Sequence, residues 1–300
     1  MSRLDHDRFG RRRCCTILLL GLVTTLFSAT RAPAQNAAAI YVMKVDGSGV
    51  YKLAEAPGFK GMGHARWSHD GQRVAFHAWD GPTPARQIFV VDVRPGQAPQ
   101  PWSEGQFPNW SPDDKQLAFQ LLTGNTDQAE TWVENLDGQG RSFLVDGVAP
   151  RWSPDGGRLA FLLNPNLIVR DLVSETQQPL LDNSWDGIRQ GFDWSPNGNH
   201  IAFVARRNGK LGLWIVDVQN LDSSPEPRLR LQGDLMGQLS WSPDGKQLAV
   251  TYDSVICLLD VDGTGAPRRV AGQIGNSRDP DWSPDGKWIV FSSNRPSEDR

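Results

Sequence analysis

Cysteine is nearly absent from this 300-residue chain: there are three, and two of them, Cys14 and Cys15, stand side by side near the N-terminus. Beyond residue 34 only Cys257 remains, which excludes an internal disulfide there and leaves too few thiols for a cysteine-ligated metal centre. Cys257 sits in the apolar run VICLL and reads as a buried strand residue, not a nucleophile. Positive charge is not in surplus either, since 31 Lys and Arg face 34 Asp and Glu for a net charge of -3. With no Lys/Arg run outside the N-terminus, that balance excludes an ordinary nucleic-acid binder. G-x-S-x-G, H-E-x-x-H and phosphate-binding glycine loops are all missing, and with them the usual signatures of α/β-hydrolases, zincins and nucleotide enzymes.

Long apolar runs are also lacking. The one from Cys14 to Ala29 contains Thr16, Thr24 and Thr25 and is shorter than the ~20 residues a membrane-spanning helix needs. Arg8, Arg11, Arg12 and Arg13 precede it, and Ala32-Pro33-Ala34 follows with the small-x-small form of a signal-peptidase site. Residues 1–34 are therefore expected to be a cleaved signal peptide and residues 35–300 a single exported domain, periplasmic or secreted and not membrane-spanning once cleaved. An uncleaved anchor is the competing reading. Export by the Sec route is expected, with Arg12-Arg13 leaving the twin-arginine route open.

What is abundant is punctuation, with 30 Gly and 21 Pro, together with 12 Trp; frequent turn residues favour short strands. One block recurs six times: WSHDGQRVAF from Trp67, WSPDDKQLAF from Trp110, WSPDGGRLAF from Trp152, WSPNGNHIAF from Trp194, WSPDGKQLAV from Trp241 and WSPDGKWIVF from Trp282, at spacings of 43, 42, 42, 47 and 41 residues. A strand-rich repeat of that length is the signature of a β-propeller with four-stranded blades. In each block Pro presets a turn, Asp bonds nearby amides and Gly accepts positive φ, and the apolar run that follows is a buried strand. A second strand pair follows each of the first five blocks, but Trp282 has none behind it, while IYVMKVDGSGVYKL from Ile40 has none before it. The fold class expected is all-β: a six-bladed propeller of four-stranded antiparallel blades, closed by N- and C-terminal strands that share one blade.

These blocks, with the outer strand from Ile40, closely resemble the propeller domain of TolB and its relatives over residues 39 to 295. The resemblance implies a periplasmic, non-enzymatic propeller and an envelope protein, Pal-like in kind, as partner. TolB contacts TolA through a separate N-terminal domain that has no counterpart between the expected cleavage site and the first strand, so a stand-alone, monomeric TolB-like propeller is expected. Similar propellers also occur fused to prolyl-oligopeptidase-type hydrolases and in oligogalacturonate lyase. The alternative function is accordingly a lyase or hydrolase acting on a polysaccharide at the channel mouth, with Asp186 and Asp279 as its acid-base groups.

The six block serines, recurring in every blade, are expected to be turn residues without catalytic duty. Function is sought where the repeats differ, on the face carrying the longer links. Trp79, Trp185, Asp186, Arg189, Arg278 and Asp279 are the binding candidates there, because loop aromatics and arginines anchor protein interfaces; the bland reading of each Trp is packing beneath its own loop. A second set precedes the block tryptophans: Arg66, Asn109, Arg151, Asp193, Ser240 and Asp281. Salt bridges between neighbouring blades, Arg66 with Asp281 and Arg151 with Asp193, are expected to hold the ring, with a polar ligand site at the channel as the alternative. His64, His69 and His77 cluster in the first blade, but His64 and His69 should lie at opposite ends of a strand, and His200 lies in another blade, so no metal site and no cofactor are expected.

Overall fold

In the computed structural model the described residues are 38–81, 86–94, 96–122, 129–163, 166–182, 184–221 and 225–296. The expected signal peptide lies outside them, as does most of the link that begins at Thr123. Among the described residues, 24 strands form six antiparallel sheets of four. Blade 1 comprises β3 (Gly61–Trp67), β4 (Arg73–Trp79), β5 (Arg86–Asp92) and β6 (Gln100–Glu104). Blade 2 comprises β7 (Gln106–Trp110), β8 (Gln116–Leu122), β9 (Ala129–Asn135) and β10 (Ser142–Asp146). Blade 3 is built from β11 (Val148–Trp152), β12 (Arg158–Leu163), β13 (Asn166–Asp171) and β14 (Gln177–Pro179), and blade 4 from β15 (Trp185–Trp194), β16 (His200–Arg207), β17 (Lys210–Asp217) and β18 (Arg228–Gln232). Blade 5 follows with β19 (Leu235–Trp241), β20 (Gln247–Tyr252), β21 (Val255–Asp260) and β22 (Arg268–Arg269).

Blade 6 joins the two ends of the domain. Its order is β2 (Tyr51–Ala54), β1 (Ala39–Lys44), β24 (Trp288–Ser293), β23 (Ser277–Trp282). Strand β1 pairs with β24 in unbroken register from Ala39↔Ser293 to Lys44↔Trp288. The inner strands touch in sequence around the axis, and β23 touches β3 to close the circuit. Ring closure turns the inner strand edges toward the axis, where they are protected from pairing with another chain.

Each block strand is buried on both faces, and the period-2 alternation of side chains divides it between two neighbours. Leu117 and Phe119 of β8 belong to the core against blade 1, whereas Ala118 between them belongs to the core against blade 3. Ile201, Phe203 and Ala205 of β16 likewise face blade 3, and Ala202 and Val204 face blade 5. Six separate cores result, one at every blade interface.

The block turns account for the repeated polar residues. In all six, the Ser hydroxyl donates to the Asp or Asn two residues on, at 2.5–2.7 Å. The same oxygen accepts the amide N–H five residues on, at 2.9–3.0 Å. Those hydroxyls are consumed by the turn. Their donation holds the carboxyls of Asp113, Asp155, Asp244 and Asp285 below the usual range.

Candidate functional site

Every inner strand carries a break in register just before its block tryptophan. In four of them the residue three before the Trp is left-handed and is not glycine: His64, Phe107, Ala149 and Asp279, each with φ 55°. Such backbone is costly, of order 1–3 kcal/mol per residue, and a bulge of this kind bends the strand and re-aims its side chains. The repeated bulge divides each inner strand into a lower half, ending at the Trp and the tight turn, and an upper half on the face with the longer links.

In the lower half, the residue before the Trp ties its blade to the next. Asp281 Oδ2 accepts the amide of Trp67 at 2.8 Å and Asn109 Oδ1 that of Trp152 at 2.8 Å. Asp193 Oδ2 accepts the amide of Trp241 at 3.2 Å, and Ser240 Oγ that of Trp282 at 3.2 Å. Arginine has no acceptor, and after Arg66 and Arg151 it is the indole of the following Trp that bonds instead. Trp110 Nε1 donates to the Arg66 carbonyl at 3.0 Å and Trp194 Nε1 to the Arg151 carbonyl at 3.1 Å.

Arg66 Nη1 lies 2.7 Å from Asp281 of the adjacent blade and 3.7 Å from Asp193 across the axis. Burial works against the Arg66 charge, but Asp281 and Asp193 outweigh it and raise its pKa. The expected Arg151–Asp193 bridge is not formed. Asp193 is drawn forward to the Trp241 amide, and Arg151, only 1 % exposed, donates Nη1 to its own neighbour's carbonyl at Pro150. Burial holds the Arg151 guanidinium well below its usual pKa and raises that of Asp193. Below this layer the axis opens on the turn face as a cavity of 290 Å³, lined by all six block tryptophans with Arg66, Asn109, Asp193 and Asp281 at its floor.

The upper half differs from blade to blade. The imidazoles of His64 and His77 stack with centroids 4.9 Å apart, and Phe107 meets His64 edge-on at 4.3 Å. His77 Nδ1 accepts the Phe107 amide at 3.2 Å, tying blade 1 to blade 2. Asp279 Oδ2 stands 3.8 Å from His64 Nδ1, and its other oxygen accepts the Gln238 amide at 3.0 Å. Burial, with Arg151 acting on His64 and His64 on His77, holds both imidazoles well below their usual pKa, and therefore neutral. His69 is on the turn face, 3.0 Å from Asp114. Among the described residues, no three His, Cys, Asp or Glu side chains are grouped to hold one metal ion.

All six binding candidates placed on loops belong to strands. Trp185, Asp186 and Arg189 lie in β15, Arg278 and Asp279 in β23, and Trp79 ends β4. Strand β15 runs for ten residues because a bulge between Ile188 and Phe192 absorbs the inserted length. Trp185 is not an exposed anchor. It is 9 % exposed, meets Trp214 and Phe203 at 4.8 and 5.5 Å, and carries the Arg207 guanidinium 4.9 Å over its ring. Trp79 lies across Gly61, where any Cβ would strike its ring. Asp279 is buried, whereas Asp186, Arg189 and Arg278 are exposed, Asp186 accepting the Gly209 amide at 2.6 Å. The His64–His77 stack escaped the sequence reading because it needs the bulge at His64. The following-blade amides escaped it because they are backbone groups with no sequence mark.

Six four-stranded blades closed by the terminal strands define a β-propeller, and relatives extend this to a family. The TolB beta propeller domain family matches residues 103–253, just over half the chain. The chain belongs to that family. It is 25 % identical over 242 residues to the Tol-Pal system protein TolB of Francisella tularensis subsp. mediasiatica, covering 73 % of this chain and 53 % of that protein. It is 27 % identical over 211 residues to the uncharacterized peptidase YuxL of Bacillus subtilis, covering 69 % of this chain and 25 % of YuxL. Among solved structures, putative TolB from Agrobacterium tumefaciens superposes with a TM-score of 0.67 at 17 % identity, over 87 % of this chain and 99 % of that one. The chain thus spans between a quarter and about half the length of these curated relatives.

Proposed function

We propose that this propeller is an exported, non-enzymatic binding module that engages an envelope protein, Pal-like in kind, through the face carrying the longer links. The observation that carries the reading is the surface of that face. Leu122, Leu163, Met236 and Ile274, four of the seven exposed large hydrophobics among the described residues, lie on it, and Arg189 and Arg278 are exposed beside the channel mouth. Apolar side chains next to exposed arginines are the composition of a protein interface. Export rests on the charge and apolar pattern of residues 1–34 and on the likeness to the Tol-Pal system protein. An envelope polymer is the other occupant such a face would accept.

Capture from envelope extract on immobilised residues 35–300, with mass-spectrometric identification, tests the reading. The Arg189→Ala/Arg278→Ala variant should lose the captured protein while its melting temperature stays within a degree or two, because both side chains are exposed and surface changes are worth about ±0.5 kcal/mol. Equal capture by both proteins would overturn the choice of face.

One observation favours the second reading, a polysaccharide lyase or hydrolase: His64, His77 and Asp279 converge beneath the channel mouth. Neutral imidazoles beside a carboxylate are competent for proton transfer. Turnover of acidic polysaccharides that His77→Gln abolishes would establish it in place of the first.

A further inference from the structure

The six blade interfaces are repeats of one another, so the occupant of a position in one shows what its equivalents can hold. The seventh residue of each block faces the block Trp of the next blade across the turn-face cleft. Between blades 3 and 4 this residue is Arg158, whose guanidinium lies 4.8 Å over the Trp194 ring. It donates to the carbonyls of Gly198 and Val218, both at 2.9 Å. Between blades 1 and 2, Arg73 lies 4.8 Å over Trp110 and reaches the Asp114 carbonyl, the counterpart of Gly198, at 3.4 Å. Between blades 4 and 5 the position belongs to His200, and an arginine from another strand substitutes: Arg228 Nη1 reaches the carbonyl of Val261, the counterpart of Val218, at 3.4 Å. Three clefts therefore hold a guanidinium on one or both of these acceptors, Arg158 on both, Arg73 on the first and Arg228 on the second.

Between blades 6 and 1 the position is Trp288, and there the cleft is a cavity of 520 Å³. Trp67, Gly71 and Val93, the counterparts of Trp194, Gly198 and Val218, all line it. The cavity adds aromatic surface from Tyr51 and Trp288, whose rings meet edge-on at 6.2 Å, and the carboxylates of Asp70 and Asp285. These carboxylates are half-exposed, with side chains 40 and 49 % accessible. Cations stand nearby but outside the lining: Arg73 is 4.0 Å from Asp70, Lys287 is 3.3 Å from Asp285, and Lys44 lies 5.8 Å from the Trp288 ring. Exposed pairs of this kind are weak and exchangeable. Planar guanidinium, more weakly hydrated than ammonium, is the cation suited to stack on indole while donating in-plane to carbonyls.

We propose that the cleft between blades 6 and 1 is a docking seat for an arginine side chain of a protein partner, on the face opposite the one proposed above for envelope-protein binding. The partner's guanidinium takes the place that Arg158 fills at the opposite interface of the ring, over Trp67 and between the carbonyls of Gly71 and Val93, with Asp70 and Asp285 supplying the counter-charge. Arginine specifies the seat better than lysine, which has no plane to stack and no fork to bridge two carbonyls.

The test is a titration of residues 35–300 with three capped tripeptides, Gly-Arg-Gly, Gly-Lys-Gly and Gly-citrulline-Gly, followed by the indole resonances of Trp67 and Trp288. The Arg peptide should give saturable shifts at these two indoles, with the Lys and citrulline peptides about tenfold weaker or silent. Trp288→Arg should fill the seat from within and abolish the response. Asp70→Asn/Asp285→Asn, which leaves the turns their side-chain acceptors, should weaken it several-fold and serves if Trp288→Arg does not fold. Equal response to arginine and citrulline, an unchanged response in the Asn variant, or no saturable shift with any peptide would overturn the proposal. Loss of partner capture at the other face would leave these outcomes unaffected.

Discussion

The lower and upper halves of the inner strands follow opposite rules. Below the bulge every blade repeats one solution, Trp, Ser and a tight turn, with the residue before the Trp bonded to the next blade's block Trp through its amide or its indole N–H. Above it no two blades agree: His64, Phe107, Ala149, Gly191, Gln238 and Asp279 occupy the same position three before the Trp. Where all six copies carry the same duty, identity is conserved among them by geometry. Where they differ, the positions are released from that duty, and the proposed binding and acid-base groups lie in that released half.

The strongest way to break the comparison is at the lower half. Asp281→Ala strips the nearest counter-charge from buried Arg66 and an acceptor from the Trp67 amide. It should cost about 3–5 kcal/mol of unfolding free energy, as removing one partner of a buried pair does, measured by denaturant titration; a loss under 1 kcal/mol would refute the role given to this layer. The upper half should show itself instead through pH. His64 and His77 have folded pKa values depressed well below 6.5, so the unfolded chain binds protons first as pH falls through that value. Stability should therefore decline below about pH 6.5, by up to about 1.4 kcal/mol per pH unit for each imidazole, and His77→Gln should flatten the slope of melting temperature against pH. The smallest effect belongs to a single turn. Ser153→Ala removes one hydroxyl bonded to Asp155 and to the Arg158 amide and should cost about 1 kcal/mol, with no change in any binding measurement.

Much of the fold was legible because it is repeated. The Trp spacing marks six inner strands, and the stranded pair at Ile40 marks the seam, since a hairpin without a partner must find one. The site was less legible because periodicity says where a strand is and not where it bends. Trp185 looked like a loop anchor because the insertion before Trp194 resembles a loop, yet a bulge turns it into strand and buries the indole. Arg151 and Asp193 carry opposite charges in neighbouring blades, which suggests a pair. Asp193 bonds forward to a main-chain amide that is present at Trp241 whatever the side chain, and no residue type advertises such a donor.

The seam sets a schedule for folding. Strand β1 is among the first segments of the domain to be made, and its partner β24 lies about 250 residues later, so this contact carries one of the longest loop-closure costs the chain can incur. Blades 1 to 5 draw on consecutive stretches of sequence and can assemble as they emerge. Until β24 is made, β1 lacks its main-chain partner, and the core that Ile40 and Val42 share with blade 1 lacks Val290; that open strand edge is available to helpers and to mistakes alike.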